Sequence, residues 1–202
     1  MPLLECGRIV PDSWQRLADD AALPSAPCIL SLSRLQQDEA VRTAPHLRLG
    51  VVLPVDQPAE VLAPYLDLLS LVAVNFPTFR DGRGFTQARS LRENLAFSGE
   101  IRATGYTLPD QYVFLLRCGI TTVETQDGSD PAAWQKAADR FCFAYQPSVV
   151  KEPVLSDLRR TTWRAAEYLI AVDRKIGSDP ATTQNNVSNA NTLFNTANRP
   201  AS

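Results

Sequence analysis

Two arginines, an aspartate and two glycines crowd into Phe79-Arg80-Asp81-Gly82-Arg83-Gly84. A guanidinium presents a planar fork that takes sulfite, sulfate, phosphate or carboxylate oxygens through paired hydrogen bonds. Glycines let the backbone close tightly, around a ligand or on itself. Residues 75–84 run out of an apolar stretch and into a helical pattern, so the amides after Gly84 would add their dipoles to an anion site. Arg80, Gly82, Arg83 and Gly84 are therefore the candidate anion ligands. Arg102 ranks after them, because a charge inside a strand pattern is costly unless it is paired or reaches a rim. The same residues also suit a plain turn in which Asp81 pairs with Arg83, or caps Asp81-Gly82, while Arg80 is solvated.

An enzymatic version of the site makes Asp81 or Asp110 the general acid/base, which requires a carboxylate of raised pKa in a closed pocket. Cys118 stands beside Arg117, whose charge favours a thiolate and a redox or persulfide-carrying role. A helix C-terminus opposes that thiolate, and a buried structural thiol is the alternative. His46 is the sole histidine, so a Ser-His-Asp triad, a Cys-His pair or a histidine metal site would have to be built on it alone. Cys6, Cys28, Cys118 and Cys142 are scattered without a C-x-x-C, which signals neither zinc nor an iron–sulfur cluster. Gly82-x-Gly84 lacks the third glycine of a dinucleotide fingerprint and no G-K-[ST] loop occurs. No metal and no cofactor is assigned.

The 202 residues carry 17 arginines, 3 lysines and 22 acids, for a net charge of -2. Bases and acids are interspersed, which disfavours nucleic acid and anionic membrane as partners. No apolar run reaches the roughly 18 residues of a membrane span, and the start lacks the pattern of a secretory signal. A cytoplasmic protein is expected.

These residues need elements to position them. From Val51 onward strand and helix patterns alternate, as in a mostly parallel α/β sheet. Residues 28–32 and 47–55 read as strands, and 71–76 as a strand covered on both faces. Residues 100–105 and 121–125 are two more. Between them, helical spacing appears at Val61, Leu62, Tyr65, Leu66 and Leu69, interrupted by Pro64. It recurs at Ala88, Leu91 and Leu95 behind Thr86 as cap, after the cap signal of Thr107 with Asp110, and at Trp134, Ala137, Ala138 and Phe141 after Asp130-Pro131. The expectation is an α/β domain with about five strands from successive strand–helix units, either open and doubly wound or part of a barrel. Residues 1–27 read as an N-terminal arm with one helical turn and 28–147 as the α/β domain. Residues 148–177 read as a helical extension, and 178–202 as a disordered tail poor in large apolar residues. In either architecture the loops at the strands' C-terminal ends share one rim, gathering Asp56, residues 75–84, Tyr106, Asp110 and Gln126.

Three blocks carry a resemblance. They are Phe76-Pro77-x-Phe79-x-Asp81-Gly82-Arg83-Gly84 with Ala88-Arg89-x-Leu91-Arg92; Gly99-Glu100-Ile101-Arg102-Ala103-x-Gly105; and Asp110-Gln111 with Arg117-Cys118-Gly119. Over residues 47–146 the chain resembles a bacterial domain-of-unknown-function family, number nine-three-four. Its members are often labelled oxidoreductases of sulfite reduction because they tend to be encoded beside sulfite reductase. The resemblance implies an auxiliary protein of assimilatory sulfite reduction, binding an oxyanion, or sulfite reductase or another sulfur-assimilation enzyme, through the arginine-rich loop. An oxidoreductase acting on a small anion, and a non-catalytic structural domain, are the alternatives. Tyr106 stands where the family pattern has an acidic residue and Pro109 where it has a basic one.

Overall fold

The computed structural model describes residues 2–43, 48–139 and 146–150. His46, Cys142, the expected helical extension beyond residue 150 and the expected tail lie outside the described residues.

Eight strands form one sheet: β1 (Leu3–Glu5), β2 (Arg8–Val10), β3 (Gln15–Arg16), β4 (Cys28–Ser31), β5 (Leu49–Leu53), β6 (Leu69–Phe76), β7 (Glu100–Gly105) and β8 (Thr122–Glu124). Their order across the sheet is β2-β1-β8-β7-β6-β5-β4-β3. From β3 to β8 every pairing is parallel and neighbours follow chain order, while β1 joins β8 and β2 antiparallel. The parallel core matches expectation and the strand count does not. Three of the eight strands come from the first 27 residues, where an arm with a helical turn was expected. Those strands are two or three residues long, too short to show a period, and the pairing that joins β1 and β2 to the parallel core, β1 with β8, spans more than a hundred residues of sequence.

Chain-order winding decides between the two expected architectures. Right-handed crossovers that all step the same way put every helix on one face. That face holds the helices α1 (Leu32–Gln37), α2 (Glu39–Arg42), α3 (Arg83–Glu93), α4 (Tyr112–Arg117) and α5 (Pro131–Ala138), and a 3-10 helix over Ala59–Leu68. Leu35, Val41, Leu62, Leu91, Leu115 and Trp134 from these elements make one core with Val51, Val72, Val74, Ile101, Ala103 and Val123 of the strands. Pro64 lies inside the 3-10 helix, where a missing amide donor disfavours the regular α ladder. The sheet is a curled half-barrel, and the chain itself demands the curl. β2 and β3 are opposite edges, yet only residues 11–14 connect them. Five Cα steps reach at most about 18 Å, whereas a flat sheet of this order is about 34 Å wide. Residues 11–14 thus form a strap across the concave face. Its Trp14 packs, as Val52 does, on the cluster of Ile29, Leu71 and Ala73, the apolar half of that face.

Local signals explain most helix starts. Asp130 Oδ1 accepts the Ala132 amide at 2.9 Å, as an N-cap should, with Pro131 at the first helical position. Helix α3 begins three residues before its expected cap: Gly82 is the N-cap, without a side-chain bond, and Thr86 sits inside the helix. The Thr107 cap is also displaced. Its hydroxyl donates instead to the Glu124 carbonyl, and Gln111 Oε1 accepts the Leu108 amide to open a short 3-10 turn over Pro109–Gln111 ahead of α4.

Candidate functional site

The parallel strands do bring residues 75–84, Tyr106, Asp110 and Gln126 to one end of the sheet, beyond the C-termini of β6, β7 and β8. Within the turn, Arg83 closes on Asp81: Nε donates to Oδ1 at 3.0 Å and Nη2 to Oδ2 at 2.7 Å, and the Arg83 amide adds a third bond at 3.2 Å. Of the two readings of this segment, the self-paired turn is the one present. Arg83 therefore does not stand beside Arg80 as an open clamp. The Arg83 side-chain hydrogen bonds hold the Asp81 carboxyl below its ordinary range, opposite in sign to what a general acid needs. Asp110 is exposed on the 3-10 turn, not in a closed pocket. Arg80 is exposed and has no ion pair among the described residues. Its neighbour in sequence, Phe79, is also exposed (51 %), as is Tyr106 (42 %) on the next loop, whose amide donates to the Phe76 carbonyl at 2.7 Å.

The glycines of the turn divide in role. A Cβ on Gly84 would lie 2.7 Å from the Phe76 ring, so this glycine admits the aromatic of β6 against α3 and does not line an anion cradle. Gly82 has φ −89°, and a Cβ there would meet only the Phe85 ring, at an ordinary contact distance of 3.9 Å, so it carries no such constraint. We expect Gly84→Ala to cost about 1–3 kcal/mol by overpacking and Gly82→Ala to lie within about 0.5 kcal/mol of wild type. Urea unfolding of the two variants checks the contrast.

Arg102 is at neither rim. It pairs in register with Ala73 and Thr122, three positions below the end of its strand, and faces the strap across the concave side. It is 1 % exposed. Its Nε donates to Glu100 Oε1 at 3.0 Å, Nη1 and Nη2 donate to Asp12 Oδ2 and Oδ1 at 2.8 and 3.2 Å, and Nη1 lies 3.5 Å from Glu124 Oε1. Arg16 Nη2 reaches both oxygens of Glu124, at 2.9 and 2.8 Å, and Thr122 Oγ1 donates to Glu100 at 2.6 Å. Burial works against the guanidinium's charge, yet Asp12 and Glu100 outweigh it and its pKa is raised. The strap is thus fastened to the sheet by ion pairs from Asp12, with Arg16 doing the same from β3.

Arg92 supplies a third arrangement. Its Nε donates to the Gly119 carbonyl at 3.0 Å, and its Nη1 to those of Phe97 and, at 2.8 Å, Gly99. The stem of Arg92 fills the space that a Cβ on Gly119 would need, and Gly119 itself has φ +88°, a backbone region that glycine enters without strain. One side chain of the first motif block therefore holds a backbone carbonyl from each of the other two. Cys118, beside this junction, is partly buried. Burial pushes its thiol up, against the pull of Arg89 and Arg117, which is the opposite of an activated thiolate.

The structure pairs Arg83 with Asp81 and Arg102 with Asp12 and Glu100, and adds Asp12, Arg16, Glu100 and Glu124, which sequence reasoning did not propose as site residues. Glu100 and Arg102 were legible: two residues apart in a strand, they must share a face. Arg92 follows Ala88 by four on the buried stripe of α3, a hint that it is not a surface charge. Asp12 had no signal, since its partner is 90 residues away. Among the described residues no helix is long and apolar enough to cross a membrane.

No curated protein matches the chain. A family model described as a bacterial protein of unknown function (DUF934) matches residues 50–155, just over half of the chain. The match starts within β5 and takes in α3, β7 and α4, so it holds Gly84, Arg102 and the contacts of Arg92 with Gly99 and Gly119 that join the motif blocks. The chain therefore belongs to the DUF934 family of bacterial proteins of unknown function.

Proposed function

We propose that this protein is an auxiliary factor of assimilatory sulfite reduction that docks on sulfite reductase, or on another sulfur-assimilation enzyme, through the loop after β6. The pathway is what the family's common label implies. The docking mode rests on one observation: Phe79 and Tyr106 stand exposed on the loops after β6 and β7, which the Tyr106–Phe76 backbone bond joins, and Arg80, next to Phe79 in sequence, is exposed with its charge unpaired among the described residues. Exposed aromatics with an arginine are the composition of interface hot spots, where a few such side chains carry most of the affinity. A free thiolate or a raised-pKa acid would favour the catalytic alternatives. Cys118 and Asp81 shift the other way.

Biolayer interferometry of the full chain against purified sulfite reductase tests this reading. Phe79→Ala and Arg80→Ala are each expected to weaken association by roughly tenfold or more, with circular dichroism unchanged because both side chains are exposed. Absence of association by the wild type, or equal association by wild type and both variants, overturns it.

A further inference from the structure

We infer that the concave face contains a strap-gated site for a small oxyanion or carboxylate, in which Asp12 is the built-in occupant of the guanidinium of Arg102. A bidentate anion takes the outer edge of an arginine, Nη1 and Nη2 together, and here that edge is taken end-on by the two oxygens of Asp12, at 2.8 and 3.2 Å. Asp12 is not part of the sheet. It belongs to the strap, its side chain is a third exposed, and its local tether is a turn in which Oδ1 accepts the Trp14 amide at 3.0 Å. Glu100, by contrast, approaches Arg102 from its own strand and stays when the strap moves.

A cleft of about 520 Å³ adjoins this contact, with Trp14, Arg48, Glu100, Arg102 and Thr122 in its wall. Arg48 lies over the Trp14 ring at 5.2 Å and has no ion pair among the described residues. The charges of the wall decide what fits. Glu5, Asp12 and Glu100 face Arg48 and Arg102, three acids against two bases. Swinging Asp12 out leaves Glu100 and the Arg16-paired Glu124 on the guanidinium but turns its vacated Nη1/Nη2 edge toward the cleft, where an incoming anion takes over the paired hydrogen bonds that Asp12 gives up. The incoming group takes Asp12's place on Arg102 and meets Arg48 from the cleft side. This site is at the N-terminal ends of the parallel strands, away from the Phe79 and Tyr106 loops, and does not depend on the docking reading.

The test is calorimetric titration of the full chain with sodium sulfite, sodium sulfate and sodium acetate against a sodium chloride reference of equal ionic strength. Asp12→Asn, which loses the competing charge but keeps the side-chain volume, is expected to bind at least one of these anions roughly tenfold more tightly than wild type. The sulfur oxyanion arms and the acetate arm separate tetrahedral or pyramidal ligands from planar ones. Arg48→Ala, a change at an exposed residue, is expected to weaken the same binding several-fold. A tryptophan fluorescence change on anion addition, lost in Trp14→Phe, reports strap movement. Asp12→Asn binding no more tightly than wild type overturns the proposal, and so does binding that Arg48→Ala leaves unchanged.

Discussion

Arg102→Ala is expected to lower the unfolding free energy by about 3–5 kcal/mol, the usual cost of breaking a buried ion pair from one side. Domains of this kind have only about 5–15 kcal/mol in hand, so the variant is expected to unfold at a much lower urea midpoint or to fail to accumulate folded. The physical reason is that Asp12, Glu100 and Glu124 converge on one guanidinium that is 1 % exposed. Arg16 reaches Glu124 alone, so losing Arg102 leaves Asp12 and Glu100 facing each other without a counter-charge. Asp12→Asn is expected to cost far less, since two carboxylates still compensate Arg102. Urea titration followed by circular dichroism measures both. A loss below about 1 kcal/mol for Arg102→Ala would show the network to be solvated like a surface pair. A set of neutral replacements gives a sharper check: Arg102→Met with Glu100→Gln and Asp12→Asn is expected to recover much of the loss, because the two carboxylates left without a counter-charge are removed with the guanidinium while Glu124 keeps its pairing with Arg16.

Arg92→Ala ranks second. Three carbonyls, of Phe97, Gly99 and Gly119, lose their donor at once, and each acceptor left without a partner away from water costs about 1–3 kcal/mol. Partial solvation of the junction brings the expected total to about 2–4 kcal/mol. The aliphatic stem over Gly119 is lost as well, so some of the effect is packing. Arg92→Lys separates the contributions. An ammonium on a flexible stem cannot address carbonyls on both sides as a planar fork does, so lysine is expected to restore less than half of the loss. Full restoration by lysine would mean that charge or stem packing, and not the fork geometry, holds the three loops together. Since Arg92, Gly99 and Gly119 come from the three blocks that carry the family resemblance, this experiment also asks how far those blocks serve the fold.

The contrast between the turn after β6 and the strap shows where electrostatic reasoning from sequence succeeds. Asp81 and Arg83 are two apart in a tight turn, and local geometry is enough to bring them together. Arg102 and Asp12 are linked only because the sheet curls and residues 11–14 must cross it. No property of the arm's composition announces that crossing.

The order of strand and helix from residue 51 to residue 138 was written in the sequence. β-branched and apolar runs form the strands, a period of 3.6 marks α3 and α5, and Asp130-Pro131 and Pro64 act through local backbone chemistry that no distant residue alters. The parallel character of the core follows from that alternation. Tertiary structure alone decided three things: the two antiparallel strands added at one edge, the closing of the half-barrel by the strap, and the fate of each arginine. Pairing of two- and three-residue strands depends on what lies opposite them. A guanidinium becomes a ligand, a latch or a carbonyl tie according to which acids and carbonyls the completed fold brings within about 3 Å of it.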